Sequence, residues 1–332
     1  MNALTTSIHP GLVFLGGVVI VVLGAELLLR SATRVANMLR VPPIVIGLTI
    51  VSLGTSMPEL AVGITAASAG KGSLAVGNIV GANIMIILLV LGLSAAIRPL
   101  PIGVRSAKLD VPAMIIAVCA LIIISIDGVL TRTEGALLLL GALSYTGLII
   151  QTSRRESRSV KAEFAAEFAT PQPPVALRGI AFAWDGLLLA ASITLTVLGA
   201  DLLVAGATDL ALALGVSDAV IGLTIVALGT SSPELATTIV ATLRDDRDVA
   251  IGNIMGSSVY NILAILGMTL LVSPLPVDLS RDLLRIDLPI ALAVAVICWP
   301  VFKSDRMISR TEGLLFVGGY GLYMLLLLML RT

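Results

Sequence analysis

Two glutamates lie in the middle of long apolar runs, and each belongs to the same short motif. Residues 54–59 read Gly-Thr-Ser-Met-Pro-Glu and residues 229–234 read Gly-Thr-Ser-Ser-Pro-Glu, which places the carboxylates at Glu59 and Glu234. A carboxylate at the centre of a helix in lipid costs about 3 kcal/mol or more, so it marks a functional site by default. The pattern therefore indicates chemistry that needs two buried negative charges.

The proline before each glutamate predicts a break in its helix. Proline has no backbone N–H and clashes with the carbonyl four residues earlier. Pro58 is therefore expected to free the backbone carbonyls around Thr55. Pro233 is expected to free those of Gly229 and Thr230. Carbonyls, hydroxyls and two carboxylates together form an all-oxygen cage, which suits a hard cation and Ca²⁺ in particular.

Repulsion between the two carboxylates explains why such a cage would bind cations. Two carboxylates about 5 Å apart repel by about 3 kcal/mol at an effective dielectric constant of about 20. Without a cation between them, at least one is expected to be protonated. One Ca²⁺, two Na⁺ or two H⁺ would each neutralise the pair, and mutually exclusive occupancy is the physical basis of exchange. The alternative is a structural one, in which each motif is a proline kink whose glutamate caps a packed neighbour.

A second pair of segments carries polar residues that are less symmetric. Ser257 and Asn261 stand four residues apart and so share one face of a helix. The residues at the matching positions of the first half are Ala82 and Ile86, whose side chains cannot bind a cation. Glycines spaced four residues apart in the same segments predict close packing between helices.

The composition of the chain indicates the environment in which these broken helices must lie. The chain has 332 residues, of which 57% are hydrophobic and 13% charged, and its mean hydropathy is +1.06. An average soluble domain is about 45–50% apolar and about 25% charged. These values exclude a soluble enzyme, a nucleic-acid-binding protein and a disordered chain, and they make the lipid bilayer the partner. Lys+Arg and Asp+Glu both number 21, so no polyanionic partner is indicated.

The apolar runs predict an all-α polytopic membrane protein with ten transmembrane helices. A span needs about 20 apolar residues. The runs that satisfy this requirement lie at about 10–32, 43–70, 74–97, 109–127, 133–152, 181–207, 217–243, 248–272, 284–302 and 312–330. The first run has no basic residues before it and no cleavage-type sequence, so it is interpreted as a retained span and not as a signal peptide.

The chain also repeats itself. A shift of 175 residues aligns 24–92 with 199–267 without a gap, and the closest matches lie at about 45–92 and 220–267. Five spans per half is an odd number, so the second half must enter the membrane from the opposite side. Inverted repeats with interrupted helices are typical of transporters, whose substrate site lies at the midplane where the repeats meet.

These predictions divide the chain into two five-helix repeats at 1–152 and 181–332, joined by a charged and proline-rich linker at 153–180. Cytoplasmic loops carry an excess of Lys and Arg. With the N-terminus outside, 16 of the 21 Lys and Arg residues fall on the inner side. The expected location is therefore the cell membrane, with the N-terminus outside and the linker in the cytoplasm.

Two copies of G-T-S-x-P-E-L, each followed by G-N-x-x-G-[SA]-[NS], resemble the two alpha-repeats of the cation/Ca²⁺ exchanger superfamily, closest to its sodium/calcium exchanger branch. The resemblance covers essentially the whole chain. It implies ten helices, a central Ca²⁺ site alternately open to either side, Ca²⁺ and Na⁺ as the transported ions, and no organic cofactor. A monomer is expected to be the functional unit.

The resemblance also implies a ligand set by motif position. Glu59 and Glu234 would be the Ca²⁺ carboxylates, and Thr55 and Thr230 would contribute backbone carbonyls. The residues that would serve flanking Na⁺ sites are Ser56, Ser231, Ser257 and Asn261.

Departures from the family pattern leave the co-ion open. The family usually has Ser and Asn or Asp where this chain has Ala82 and Ile86, and sodium-coupled members often have Asp at the position of Asn261. Na⁺ is the first expectation and H⁺ the alternative. A passive cation channel is the alternative from a different class of protein. An enzyme is not expected, since the one histidine is His9 and no catalytic set can be built in the apolar runs.

Overall fold

The computed structural model describes residues 9–39, 43–103, 106–155, 178–213, 227–304 and 307–331, and nearly all of them are helical. Helices satisfy their own backbone hydrogen bonds, which is what a chain with this composition requires in lipid. Most of the predicted linker, residues 156–177, and the start of the seventh predicted span, residues 217–226, lie outside the described residues.

The described part of the first half contains six helical segments. Three of them include a π-helical turn, in which the backbone bonds span five residues and not four. The segments are α1 Pro10–Leu39; α2, made of Pro43–Ile46, the π turn Gly47–Val51 and Ser52–Thr55; α3 Met57–Ser68; α4, made of Gly72–Met85, the π turn Ile86–Leu91 and Gly92–Ile97; α5, made of the π turn Ser106–Asp110 and Val111–Ile124; and α6 Arg132–Arg155.

The second half follows the same order. Its segments are α7 Arg178–Ala213; α8 Ala227–Thr230; α9 Ser232–Leu243; α10, made of Arg247–Tyr260, the π turn Asn261–Leu266 and Gly267–Val272; α11, made of the π turn Leu283–Asp287 and Leu288–Ser304; and α12 Arg310–Arg331. The π turns of α4 and α10 stand 175 residues apart, the same shift that aligns the two halves of the sequence.

Seven helices of the described chain are long and apolar enough to cross a membrane, and the bent pair Ile44–Thr55 and Met57–Ser68 raises the number to eight. The prediction of a helical polytopic membrane protein is confirmed. Two of these helices form the centre: 78% of the most apolar stretch of α4 and 89% of that of α10 is buried inside the protein. The other candidate spans are less buried and therefore surround them.

Four two-residue strands depart from the all-α expectation. They are β1 Leu100–Pro101, β2 Val129–Leu130, β3 Val277–Asp278 and β4 Met307–Ile308. β1 pairs antiparallel with β4, and β2 pairs antiparallel with β3. Each pair joins a loop of the first half to a loop of the second, so the two halves are connected outside the helices as well.

Glycines bring α1 and α7 into backbone contact. A Cβ placed on Gly24 would lie 2.7 Å from the backbone N of Thr196, and one on Gly199 would lie 2.6 Å from the backbone N of Val21. Real Cβ atoms do not approach this closely, so only glycine fits at either position. Gly24 and Val21 stand 175 residues before Gly199 and Thr196, which means that the same contact is made twice with the halves exchanged.

A second repeated contact joins α4 to α12 and α10 to α6. A Cβ on Gly92 would lie 2.9 Å from the carbonyl oxygen of Gly313, and one on Gly267 would lie 3.0 Å from that of Gly135. The predicted close packing of the glycine segments is seen in the second, where a Cβ on Gly256 would lie 2.5 Å from a backbone carbonyl oxygen of α2. It is wrong for the first, where a Cβ on Gly81 would meet no described atom within 4 Å.

Candidate functional site

Two breaks in the helices create the site. α2 and α3 meet at Ser56, whose φ of −82° and ψ of 11° are not helical, and the two helices are bent by 41°. Ser231 separates α8 from α9 with nearly the same angles, φ −94° and ψ 14°. Pro58 and Pro233 lie in the first turn of the helix that follows, where the missing N–H is not needed. The break predicted from each proline is therefore present.

Each break places its glutamate in the first turn of a new helix. Glu59 is the third residue of α3 and Glu234 the third of α9, and their exposed fractions are 0% and 1%. The unpaired N–H groups at a helix N-terminus favour negative charge within the first turn. The break therefore both ends one helix and stabilises a carboxylate in the interior.

Two hydrogen bonds cross between the halves and bring the carboxylates together. The hydroxyl of Ser56 donates to Oε1 of Glu234 at 2.9 Å, and that of Ser231 donates to Oε1 of Glu59 at 2.7 Å. Each serine thus binds the glutamate of the opposite motif. Two like charges that crossed bonds hold together repel each other. The arrangement is stable only if something reduces that repulsion.

The second oxygen of each carboxylate has no hydrogen-bond partner within the described chain. These atoms, Oε2 of Glu59 and Oε2 of Glu234, are buried. A buried polar atom without a partner costs about 1–3 kcal/mol, and more when it is charged. No group of three or more His, Cys, Asp or Glu that could hold a metal occurs in the part of the chain that is described, so a cation here would depend on two carboxylates and neutral oxygens.

Ser257 and Asn261 are also fully buried, and the Oγ of Ser257 and both side-chain polar atoms of Asn261 have no partner among the described residues. Asn261 is the first residue of the π turn in α10, and π turns occur often at functional sites. The corresponding first residue in α4 is Ile86, which is buried and apolar, as is Ala82. The difference between the halves predicted from the sequence is present in the buried interior.

The two threonines of the motifs contact asparagines of the central helices. Thr55 Oγ1 lies 3.5 Å from Oδ1 of Asn253, and Thr230 Oγ1 lies 3.5 Å from Oδ1 of Asn78. A third asparagine, Asn83, donates to the carbonyl of a residue of α10 at 2.9 Å. These asparagines therefore form polar contacts between helices.

Thr237 and Thr238 are polar residues near the site that the sequence analysis missed. Nδ2 of Asn253 donates to Oγ1 of Thr237 at 2.9 Å and to Oγ1 of Thr238 at 3.0 Å. Two threonines three and four residues after a glutamate in an apolar run were a usable signal, because the matching positions of the first half are Val62 and Gly63. In the helix that follows each break, the second half is therefore also the more polar of the two.

One expectation about bare carbonyls needs correction. The carbonyl of Gly229 accepts a hydrogen bond from the hydroxyl of Ser232 at 2.7 Å, so it is not left bare by Pro233. The serine stands at the position where the first motif has Met57 and repairs the break locally.

Glu26 and Asp201, which correspond across the repeat, do not join the two buried glutamates. Glu26 forms ion pairs with Arg30 at 2.7 Å and with Arg244. Asp201 is exposed. Glu26 is therefore held by ion pairs at its own position on α1.

Apolar helices that span a membrane, two of them broken at the level of a buried pair of carboxylates, define a polytopic membrane transport protein. The particular family follows from a comparison with sequence families: the family described as Sodium/calcium exchanger protein matches residues 9–151 and 184–329. The chain belongs to this family, and the resemblance identified from its motifs is confirmed.

Individual relatives cover nearly the whole chain. The inner membrane protein YrbG of Escherichia coli strain K12 is 32% identical over 314 residues, 94% of each protein. The sodium/calcium exchanger MaX1 of Methanosarcina acetivorans is 29% identical in an alignment 344 positions long, which covers 95% of this chain and 97% of that one. The solved structure of the sodium-calcium exchanger NCX_Mj superposes with a TM-score of 0.79 at 27% identity, covering 94% of this chain and 97% of that one. The protein is a membrane antiporter of this family and not an enzyme.

Proposed function

We propose that the protein is a secondary antiporter that exchanges Ca²⁺ for Na⁺ by alternating access at a midplane site formed by Glu59 and Glu234. The observation that carries this proposal is the pair of crossed hydrogen bonds from Ser56 and Ser231. They use one oxygen of each carboxylate and leave the other, which is buried and has no partner among the described residues, for a cation.

The proposed ligands are the oxygens around these two side chains. Ca²⁺ takes six to eight oxygen ligands, mixed among carboxylates, carbonyls and hydroxyls or water. The two glutamates supply the charge, and the backbone carbonyls of Thr55 and Thr230 supply neutral oxygens. The residues proposed to serve the co-ion are Ser56, Ser231, Ser257 and Asn261.

The proposed architecture is two inverted five-helix repeats, residues 1–152 and 181–332, with a cytoplasmic linker at 153–180 and the N-terminus outside. The contacts that recur with the halves exchanged, at α1 with α7 and at the two strand pairs, support it. Because the two repeats would stand in opposite orientations, an exchange of their conformations would open the site to the other side of the membrane.

The names of the relatives favour Na⁺ as the co-ion, since two of them are called sodium/calcium exchangers. The loss of neutral oxygens at Ala82 and Ile86 favours the second candidate, a Ca²⁺/H⁺ antiporter with the same site. A passive cation channel is the third. The complete burial of both carboxylates favours an antiporter over a channel, because a conducting pore would expose its ligands to water.

Flux measurements in proteoliposomes test the proposal. The purified protein is reconstituted, and ⁴⁵Ca²⁺ uptake is measured with outward Na⁺, K⁺ and H⁺ gradients imposed one at a time. We expect uptake against a Ca²⁺ gradient when the Na⁺ gradient alone is present at fixed pH. Uptake driven only by a pH gradient would assign H⁺ as the co-ion, and downhill flux without any counter-ion would assign a channel.

Removing one of the two crossed hydrogen bonds is expected to weaken Ca²⁺ binding. A hydrogen bond to a charged group contributes about 1.5–3 kcal/mol, so Ser56→Ala or Ser231→Ala should raise the Ca²⁺ concentration for half-maximal uptake by about 10- to 100-fold. Ser144→Ala is the control, because Ser144 is exposed on α6 and bonds only its own helix. An unchanged concentration in both site variants would show that these serines do not orient the carboxylates.

A further inference from the structure

Among the described residues, the two glutamates are the buried acids that lie at the helix breaks. Three other acids are buried in this part of the chain. Asp110 and Asp287 lie in the π turns that begin α5 and α11, at helix ends. Asp185 lies on α7 and pairs with an arginine of α1 at 3.5 Å. Asp110 accepts a hydrogen bond from Tyr145 at 3.0 Å. Of the acids on α1, Glu26 already has its charge compensated by arginines.

The polar side chains at two matched positions of the central helices are neutral and differ between the halves. Within the described chain, Ser257 and Asn261 offer buried atoms without a hydrogen-bond partner in the second half. The corresponding side chains of the first half, Ala82 and Ile86, offer none. α4 still carries Oδ1 of Asn83, which is buried and has no partner among the described residues. These groups are neutral, so a cation bound beside the carboxylates would gain no further negative charge from them.

We propose that the site accepts a total of two positive charges, one Ca²⁺ or two monovalent cations, and that exchange is electroneutral. This inference rests on the proposed antiport function and adds its stoichiometry. Two carboxylates neutralise two positive charges. A third monovalent cation would leave a net charge buried among apolar helices, and burial of an unpaired charge is strongly unfavourable. The same count applies whether the co-ion is Na⁺ or H⁺.

Electroneutral exchange predicts that the membrane potential has no effect on the Ca²⁺ gradient that the protein sustains. With two co-ions per Ca²⁺, a tenfold gradient of the co-ion sustains an about 100-fold Ca²⁺ gradient at any potential. With three co-ions, one net charge crosses in each cycle. A potential of 100 mV then changes the Ca²⁺ gradient by about 50-fold, which is the equivalent of about 2.3 kcal/mol.

The experiment measures ⁴⁵Ca²⁺ accumulation at equilibrium in proteoliposomes whose potential is set by K⁺ and valinomycin. The co-ion gradient is the one that drives uptake in the flux measurements. We expect accumulation at 0 and at −100 mV to agree within twofold. A change of about 50-fold would overturn the electroneutral stoichiometry while leaving the antiport function intact. Absence of uptake with every gradient would instead contradict the proposed function.

Two variants separate charge from polarity. Asn261→Asp adds a third carboxylate at nearly constant shape, so we expect a dependence on the potential to appear. The double variant Ala82→Ser with Ile86→Asn adds neutral oxygens only, and accumulation should remain independent of the potential. If the double variant became voltage-dependent, or if active Asn261→Asp did not, the number of carboxylates would not determine the stoichiometry. Ser257→Asp places the added charge one turn away and replaces Asn261→Asp if that variant does not fold.

Discussion

Replacing either buried glutamate by glutamine is expected to abolish Ca²⁺ transport while the protein remains folded. Glutamine keeps the shape of the side chain and can still accept the hydrogen bond from the opposite serine, but it removes half of the negative charge of the site. One remaining carboxylate cannot neutralise Ca²⁺, and a buried unpaired charge costs several kcal/mol. We therefore expect Glu59→Gln and Glu234→Gln each to lower the rate of uptake at least 100-fold.

The measurement is ⁴⁵Ca²⁺ uptake in proteoliposomes, with thermal unfolding in detergent as the test of folding. Glu134→Gln is the matched control. Glu134 caps α6 by accepting hydrogen bonds from the backbone N–H and the hydroxyl of Thr131, at 2.6 and 3.1 Å, and glutamine can accept the same bonds. The control should transport normally. Retained transport in Glu59→Gln or in Glu234→Gln would contradict a site that both carboxylates share.

Adding one methyl group where α1 crosses α7 is expected to have the second-largest effect. The Cβ of Gly24→Ala would stand 2.7 Å from a backbone nitrogen of α7, and that of Gly199→Ala 2.6 Å from a backbone nitrogen of α1. Backbone atoms cannot rotate away as a side chain can, so the helices must separate. Overpacking of this kind costs about 1–3 kcal/mol in the free energy of unfolding.

Transport is expected to fall as well, by at least tenfold. α1 also contacts α2, which precedes the first break, and α9, which follows the second break and contains Glu234. A displacement of α1 therefore reaches the site. Gly16→Ala on α1 and Gly186→Ala on α7 are the controls, because a Cβ there meets no described atom within 4 Å. Equal stability and transport in all four variants would show that the close approach of α1 and α7 is not required.

Much of the candidate site could be predicted from the sequence, because its signals are local. A glutamate deep in an apolar run and a proline one residue earlier indicate a broken helix and a buried charge wherever they occur, and Glu59 and Glu234 each carry both signals. The repeat follows from comparing the chain with itself. The helical and apolar character of the fold follows from composition, because lipid leaves the backbone few other solutions.

The tertiary structure alone decided which groups meet. Ser56 stands three residues from Glu59 but bonds Glu234, and no property of either motif specifies that exchange. It depends on how two helices 175 residues apart approach each other, which is set by packing at positions such as Gly24 and Gly199. Local sequence determines where a helix breaks and what charge it carries. Hydrogen-bond partners depend on distances of a few tenths of an ångström between remote segments, and only the packed fold sets those distances.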